Sequence, residues 1–509
     1  MRKVYSTDLI DLIKSLSSGE KRYIKKFALR SSTKSDRLYL NLFNDIDRQK
    51  VYSKNAILNN VKYARHLSQL KKYLHAAICK GLDAYHAESS PRLQLIKMIN
   101  MIEIFYDKGL EAQCWKLLAN AKKIARTHEI YPYLIELLQW ERRMSSPIDR
   151  ELEKESREIY SEEQEYLQHL NTTNDYWRLR WKLTNFANRN YSIRTNTDIE
   201  KFNKLTDNPL FKSNKTPVAW RAKLYFHELK GTFFDITRDF YQSYLHRRAC
   251  LNLYENFPEK KLQESQSYLI TLNNYLVILI LLKKYREIEK CIALFRSIRK
   301  SQLSNKNIRY GILLLFANIL DFYLSRGEFE KGEKLIKEID LYLRQYEGKI
   351  SKIIELALSI NSAIIYFGAG NFSSTLHCLN KIIMNDSFNS RNDITCFARI
   401  LNLITHFELG NIDILEYAVI STYRFLYKKE GLHQFEIAII NFIRQKLPHV
   451  VNNESLIDAF IELKNELEVI IRDPLEQKAL ESFDFISWLE SKIQNRPFAE
   501  VFREKVMNY

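Results

Sequence analysis

Three asparagines are spaced so that their amides can do one job three times. Asn274, Asn318 and Asn361 each stand nine residues ahead of a turn position, held by Lys283, Gly327 and Gly370. A carboxamide offers both donors and an acceptor. A row of them can bond each helix to the next.

Clustered Lys and Arg offer a second chemistry, the neutralisation of phosphate or of an acidic partner. One cluster is Lys21, Arg22, Lys25 and Lys26; another is Lys62, Arg65, Lys71, Lys72 and Lys80. Residues 1–87 hold 18 basic against 7 acidic residues, an excess of 11 in a chain of net charge +17. Residues 283–309 add nine Lys/Arg against two Glu, whereas 450–509 hold 7 basic and 12 acidic residues. Such clusters suffice for phosphate, but base readout needs more, and no recognition-helix signature is legible. Trp177 and Trp181 alternate with Arg178 and Arg180 as where bases stack, although two Trp at this spacing more commonly form a core stripe. Solvated, lysine-rich helix faces are the simpler source of the charge.

Catalytic and metal chemistry are not visible. No HExxH, P-loop, GxGxxG or GxSxG occurs, and His66, His75 and His86 are spaced 9 and 11, which does not gather them on one helix face. Glu162, Glu163 and the run Glu151, Glu153, Glu155 read as solvated faces rather than acid/base pairs. The expectation is a protein that is not an enzyme, with no cofactor and no metal.

The elements that position these residues are helices. Gly (12) and Pro (9) make 21 of 509 residues, about 4% against an average of about 12%. So few breakers suit long helices and short loops. Four segments end a helix, turn, and open a second helix on Tyr285, Phe329, Phe372 and Ile412, which are 44, 43 and 40 residues apart. A period in that range marks stacked helical hairpins. Asp8 and Asp11 interrupt any leader-like apolar run, and Tyr275–Leu282 is too short to span a bilayer. Six cysteines without a CxxC pair fit free thiols in a reducing, cytoplasmic setting.

Four regions follow. Residues 1–88 form a basic helical amino-terminal unit, with Ser17 and Glu20 spaced as a capping box and short and long helices expected near 53–61 and 63–86. Residues 89–257 form less regular hairpins, and 188–217, rich in Asn, Thr and Ser, reads as a loop or hinge. Residues 258–447 are the regular array, and 448–509 an acidic helical cap.

The array resembles the tetratricopeptide repeat family. Phe316, Ile319 and Tyr323 sit where that family places bulky first-helix residues, Gly327 and Phe329 match its turn, and Gly332 stands where a small residue lets helices approach, with Ile336 and Ile339 behind it. Tyr366, Gly370, Phe372, Leu379 and Ile382 repeat the pattern, and Gly410 and Ile412 keep part of it. The units are longer than the family's period of about 34, lack its closing proline, and carry Leu320 at a position the family keeps small. In that family the position of Asn274, Asn318 and Asn361 faces a concave groove, so the resemblance implies peptide contact there. The family's charged carboxylate clamp needs Lys and Arg alongside, where this chain has Ile270, Leu314, Ala317, Ala357 and Ile360; an apolar groove is implied instead. Segment 12–28, LIKSLSSGEKRYIKKFA, also resembles one in bacterial repeat proteins of this size, a resemblance that carries no function.

The expected architecture is all-α: a superhelical α-solenoid of roughly nine or ten stacked antiparallel hairpins. The expected function is that of a cytoplasmic adaptor holding a protein or peptide in its groove, with no membrane partner. The alternative is a regulator whose basic amino-terminal unit touches nucleic acid while the array senses a partner.

Overall fold

Among the described residues eight turns close in one way, and that closure sets the architecture. In the computed structural model, Gly109, Glu129, Arg238, Lys283, Gly327, Gly370, Gly410 and Asn495 all have φ between 50° and 74°. The residue after each returns its N–H to a carbonyl five positions back, as Glu328 does to Tyr323 (2.8 Å) and Lys284 to Leu279 (3.0 Å). This left-handed stop satisfies the last carbonyls of one helix and turns the chain into the next. Four of the eight residues carry a Cβ, which crowds the carbonyl in this conformation. Lys283→Gly is therefore expected to stabilise the protein by about 0.5–1 kcal/mol, read as a higher urea midpoint at unchanged slope.

The structure describes residues 5–30, 36–49, 67–145, 151–189, 196–213, 215–302, 308–345, 350–384, 392–427, 434–447, 452–473, 476 and 483–507. Every regular element among them is a helix. The chain divides into two compact units, one of residues 1–182 and 200–226, the other of 183–199 and 227–509.

The first unit begins with α1 (Tyr5–Ser15), α2 (Ser18–Arg30), α3 (Asp36–Arg48) and α4 (Leu67–His86) around Ile13, Leu42, Phe43 and Ile78. Ser17 and Glu20 make the expected reciprocal cap: Glu20 N–H donates to Ser17 Oγ (3.3 Å) and Ser17 N–H to Glu20 Oε2 (2.6 Å). The short helix expected near 53–61, Lys62, Arg65 and the first turn of the long helix lie outside the described residues. Then α5 (Pro91–Asp107), α6 (Glu111–Thr127) and α7 (Tyr131–Met144) fold back and forth over Leu95, Ile102, Leu118 and Leu134.

The next helix, α8 (Glu151–Arg189), is 39 residues long. Its Glu162 and Glu163 correct the reading of solvated faces. Glu163 is buried and pairs with Arg142 (3.1 Å), while Glu162 accepts from Lys122 (3.3 Å), Arg126 and Tyr166. Apart from Tyr166, one turn along α8, the partners sit 21 to 40 residues away on neighbouring helices, so that pairing is invisible in local sequence. The loop expected over 188–217 is also corrected, because α9 (Asn196–Thr206) and α10 (Pro209–Lys212) lie within it. Buried Phe202 and Phe211 anchor them, and Asn208 caps α10 by accepting from Leu210 N–H (2.9 Å), with proline at the first helical position. These anchors outweigh the low propensity of the polar residues around them.

The second unit holds the array. Its hairpins are α11 (Trp220–Ile236, from His227 onward) with α12 (Phe240–Asn256); α14 (Ser265–Leu281) with α15 (Tyr285–Gln302); α16 (Arg309–Ser325) with α17 (Phe329–Gln345); α18 (Lys352–Gly368) with α19 (Phe372–Ile383); and α20 (Asn392–Glu408) with α21 (Ile412–Tyr427). A short α13 (Pro258–Gln263) links the first two. Helix α12 packs on α14, α14 on α16 and α16 on α18. The array thus starts one hairpin earlier than the period shows. Arg238 stands 45 residues before Lys283 with the same backbone, but a charged residue there hides the turn.

That first hairpin is tied by the buried Arg247, which pairs with the partly exposed Asp235 (2.6 Å) and donates to Thr232 Oγ1 (3.2 Å). Beside it, His227 and His246 bring their Nδ1 atoms to 2.9 Å, and the Phe234 ring stacks on His246. Burial, then the charges of His227, Lys230 and Arg247, push His246 down to about 4. The unfolded chain takes this proton near pH 6.5, the folded chain only near pH 4. The stability that the neutral ring contributes is complete above about pH 7 and is lost as pH falls from 6.5 towards 4. Because the ring is only half-buried, about 1–2 kcal/mol is expected. Urea midpoints at pH 7.5 and pH 5 should differ in the native chain and converge in His246→Phe.

After α21 come α22 (Gln434–Asn441), prolonged by a π-helical turn Phe442–Lys446, then α23 (Asn453–Ile470), α24 (Phe485–Ile493) and α25 (Phe498–Met507). Helix α23 packs on α22 and on α24, and Glu408 of α20 accepts from Trp488 Nε1 and Lys492 Nζ, both at 2.6 Å. Beyond the end of the array, α25 returns to the turn between α16 and α17. Arg503 Nε donates to the Gly327 carbonyl (2.7 Å), and Phe498 and Phe502 stand 5.9 and 5.8 Å from the Phe329 ring.

Candidate functional site

The three asparagines lie on the stacked first helices, and two of their amides are engaged between helices. Asn318 Nδ2 donates to Asn273 Oδ1 of α14 (2.8 Å) and to the Leu314 carbonyl one turn back (3.1 Å). Asn361 Nδ2 reaches the Ala317 carbonyl of α16 (3.5 Å). Asn273 and Ala317 both stand ten residues ahead of their turn, so each bond joins the same two repeat positions. Asn274 is half-buried, and its side chain makes no hydrogen bond within the described residues. Sequence reasoning missed Asn273, whose signal was its place beside Asn274.

Around these amides runs an apolar row. Ile270, Leu314 and Ala357 share one repeat position, thirteen residues ahead of the turn, and all three are half-buried. One turn earlier the second and third helices carry Tyr310 and Ile353, 48% and 74% exposed. These first helices are otherwise sunk in the core: Ile312, Leu315, Phe316, Ile319 and Leu320 of α16 are buried. The row is what they leave open. It offers apolar contact, with the Oδ1 atoms of Asn318 and Asn361 as acceptors.

The amino-terminal basic cluster is partly spent within its own unit. Lys21 pairs with Asp47 (2.7 Å), Lys25 sits 5.2 Å from the Phe43 ring centre, and Lys71 is half-buried. Arg22 and Lys26 are exposed one turn apart on α2, and Lys72 and Lys80 are exposed two turns apart on α4. Trp177 and Trp181 overturn the core-stripe reading. They are 46% and 54% exposed, because Tyr176, Leu179 and Leu183 carry the buried face of α8.

Among the described residues of the second unit, two of the cavities border the array's helices. One, of about 360 Å³, is walled by Ile339, Ser359, Ser362, Tyr366, His377 and Cys378 among others. Burial pushes the Tyr366 hydroxyl up to about 12 and the Cys378 thiol up to about 11, so both are protonated at neutral pH and neither is an activated nucleophile. The other, of about 310 Å³, is floored by Phe329, Phe483, Phe498 and Phe502 where α25 meets the array. Among the described residues, no three His, Cys, Asp or Glu side chains gather within reach of one metal ion, and no helix is long and apolar enough to cross a membrane.

No protein-family model matches the chain, and no curated protein matches it. The geometry therefore carries the functional reading alone.

Proposed function

We propose that the chain is a non-catalytic, cytoplasmic adaptor of the tetratricopeptide-like kind, whose repeat array holds a protein or peptide partner in a groove lined by α14, α16 and α18. The observation that carries this reading is the half-open apolar row of Ile270, Leu314 and Ala357, repeated on consecutive first helices beside amides whose oxygens accept no hydrogen bond among the described residues. An extended or helical segment laid across the row would bury its apolar side chains and donate N–H groups to Asn318 and Asn361. The alternative, contact of the basic amino-terminal unit with nucleic acid, rests on the exposed Arg22, Lys26, Lys72 and Lys80.

Site-specific photocrosslinking in the native cell tests the adaptor. A photoreactive residue at Ala317 should trap one dominant protein, and the same residue at exposed Lys337 of α17 should not. Equal trapping from both positions, or none from Ala317, would remove the groove. The nucleic-acid reading predicts strongly salt-dependent binding that Arg22→Ala with Lys26→Ala weakens.

A further inference from the structure

The cavity between α17, α18 and α19 is walled by hydrogen-bonding groups that the chain leaves unused. Each helix gives it one face: Ile336 and Asp340 of α17, Ser359, Ser362 and Tyr366 of α18, and His377 of α19. Ser359 and Ser362 are only 9% and 8% exposed. A hydroxyl inside a helix can bond back to the carbonyl four residues earlier. Buried Thr375 does so to Asn371 (3.1 Å), and buried Thr405 to Leu401 (2.6 Å). Ser359 and Ser362 do not. Among the described residues their hydroxyls, the Tyr366 hydroxyl and the Asp340 carboxylate make no hydrogen bond. Buried polar groups are nearly always paired, so this set is completed by something other than the chain.

The mixture of groups identifies the ligand class. Among the lining residues Lys381 is taken by Glu355 (3.2 Å), which leaves the charge of Asp340 uncompensated. A phosphate or carboxylate would meet that negative charge with no free ammonium or guanidinium to hold it. Burial keeps the Tyr366 hydroxyl protonated, so α18 offers three hydroxyls that both donate and accept. Asp340 lies near enough for its charge to bear on Tyr366 and Cys378, and it offers two acceptor oxygens. Ile336, Ile339 and Leu358 supply an apolar wall. Several hydroxyls, one carboxylate and an apolar wall match a small neutral molecule that itself carries adjacent hydroxyls. We propose that this cavity binds a neutral polyol of monosaccharide size, two of its neighbouring hydroxyls donating to Asp340 and the others bonding to Ser359, Ser362 and Tyr366. The volume, about 360 Å³, falls within the range of small-molecule sites. Ser359 and Ser362 stand on a different face of α18 from Ala357, so this site stands or falls apart from the groove.

Saturation-transfer NMR of the full-length protein tests this with glucose, galactose, mannose, ribose and myo-inositol, and with spermidine and inorganic phosphate as charged probes. At least one neutral probe should bind saturably, and neither charged probe should. Asp340→Ala is expected to weaken that binding at least tenfold, and so is Ser359→Ala with Ser362→Ala. Lys337→Ala, on the exposed side of α17, should leave it unchanged. Helix content and thermal midpoint should stay native, because Asp340 is exposed and the serine hydroxyls bond nothing among the described residues. Should the serine variant lose its midpoint, Asp340→Ala alone decides. Failure of every neutral probe to bind, or binding indifferent to Asp340→Ala, overturns the proposal. Spermidine bound in their place and released by Asp340→Ala would overturn it too and reassign the cavity to a cation, and saturable phosphate would reassign it to an anion.

Discussion

Gly368→Val is expected to unfold much of the array, at a cost of at least about 3 kcal/mol. Gly368 ends α18, and a Cβ there would lie 2.3 Å from the Phe329 ring. That ring cannot retreat. Phe329 is fully buried, and it is wedged between Gly368 and the rings of Phe498 and Phe502. Gly332 on α17 faces Ile365 of α18 in the same way, also at 2.3 Å. The two helices therefore touch at two points where only a hydrogen fits. Gly368→Ala should already show most of the loss, because the first added carbon makes the clash. The check is urea denaturation of both variants beside Gly332→Ala. A Gly368→Ala midpoint within experimental error of the native chain would mean that the hairpin can widen, and the close approach would then have no energetic weight.

Of that pair of contacts, the sequence shows only half. Gly332 is legible because it stands a fixed distance after the turn, where a small residue serves helix approach. Gly368 sits two residues before a turn glycine and reads as part of the turn itself. The same division runs through the chain. Helices, hairpin period and the turns at Gly327, Gly370 and Gly410 follow from local rules of propensity and backbone handedness. The turns at Arg238 and Glu129 do not, because tertiary packing holds ordinary residues in a conformation that only glycine announces. The Asn row was visible by spacing, yet its partner Asn273 appears only when α14 and α16 are stacked. The Trp pair on α8 shows the opposite failure. It resembles core material in every local respect, and only the placement of Tyr176 and Leu179 on the inward face turns it to solvent.

Ending the chain at Arg496 should cost the second unit about 5 kcal/mol, far more than removing any one contact that α25 makes. The deleted helix brings Phe498 against Phe329, Phe367 and Phe483, with ring centres 5.3 to 5.9 Å apart, and lays Phe502 on Phe329. Without it those three phenylalanines, all buried in the intact chain, face water. The Gly327 carbonyl also loses the Arg503 donor, and Asp484 loses Lys505 (2.7 Å). The ion pair of Arg503 with Glu330 matters less. Arg503 draws the Glu330 carboxyl below its ordinary range, but that side chain is 65% exposed, and solvent screening leaves such a pair under about 1 kcal/mol. Arg503→Ala alone should therefore cost about 1–2 kcal/mol, chiefly through the carbonyl it abandons. Hydrogen exchange separates the two effects. In the truncated chain, amides of α16, α17 and α18 should lose protection together, whereas Arg503→Ala should loosen only the turn at Gly327. Full protection across those helices after truncation would show α25 to be an appendage rather than part of the array's core.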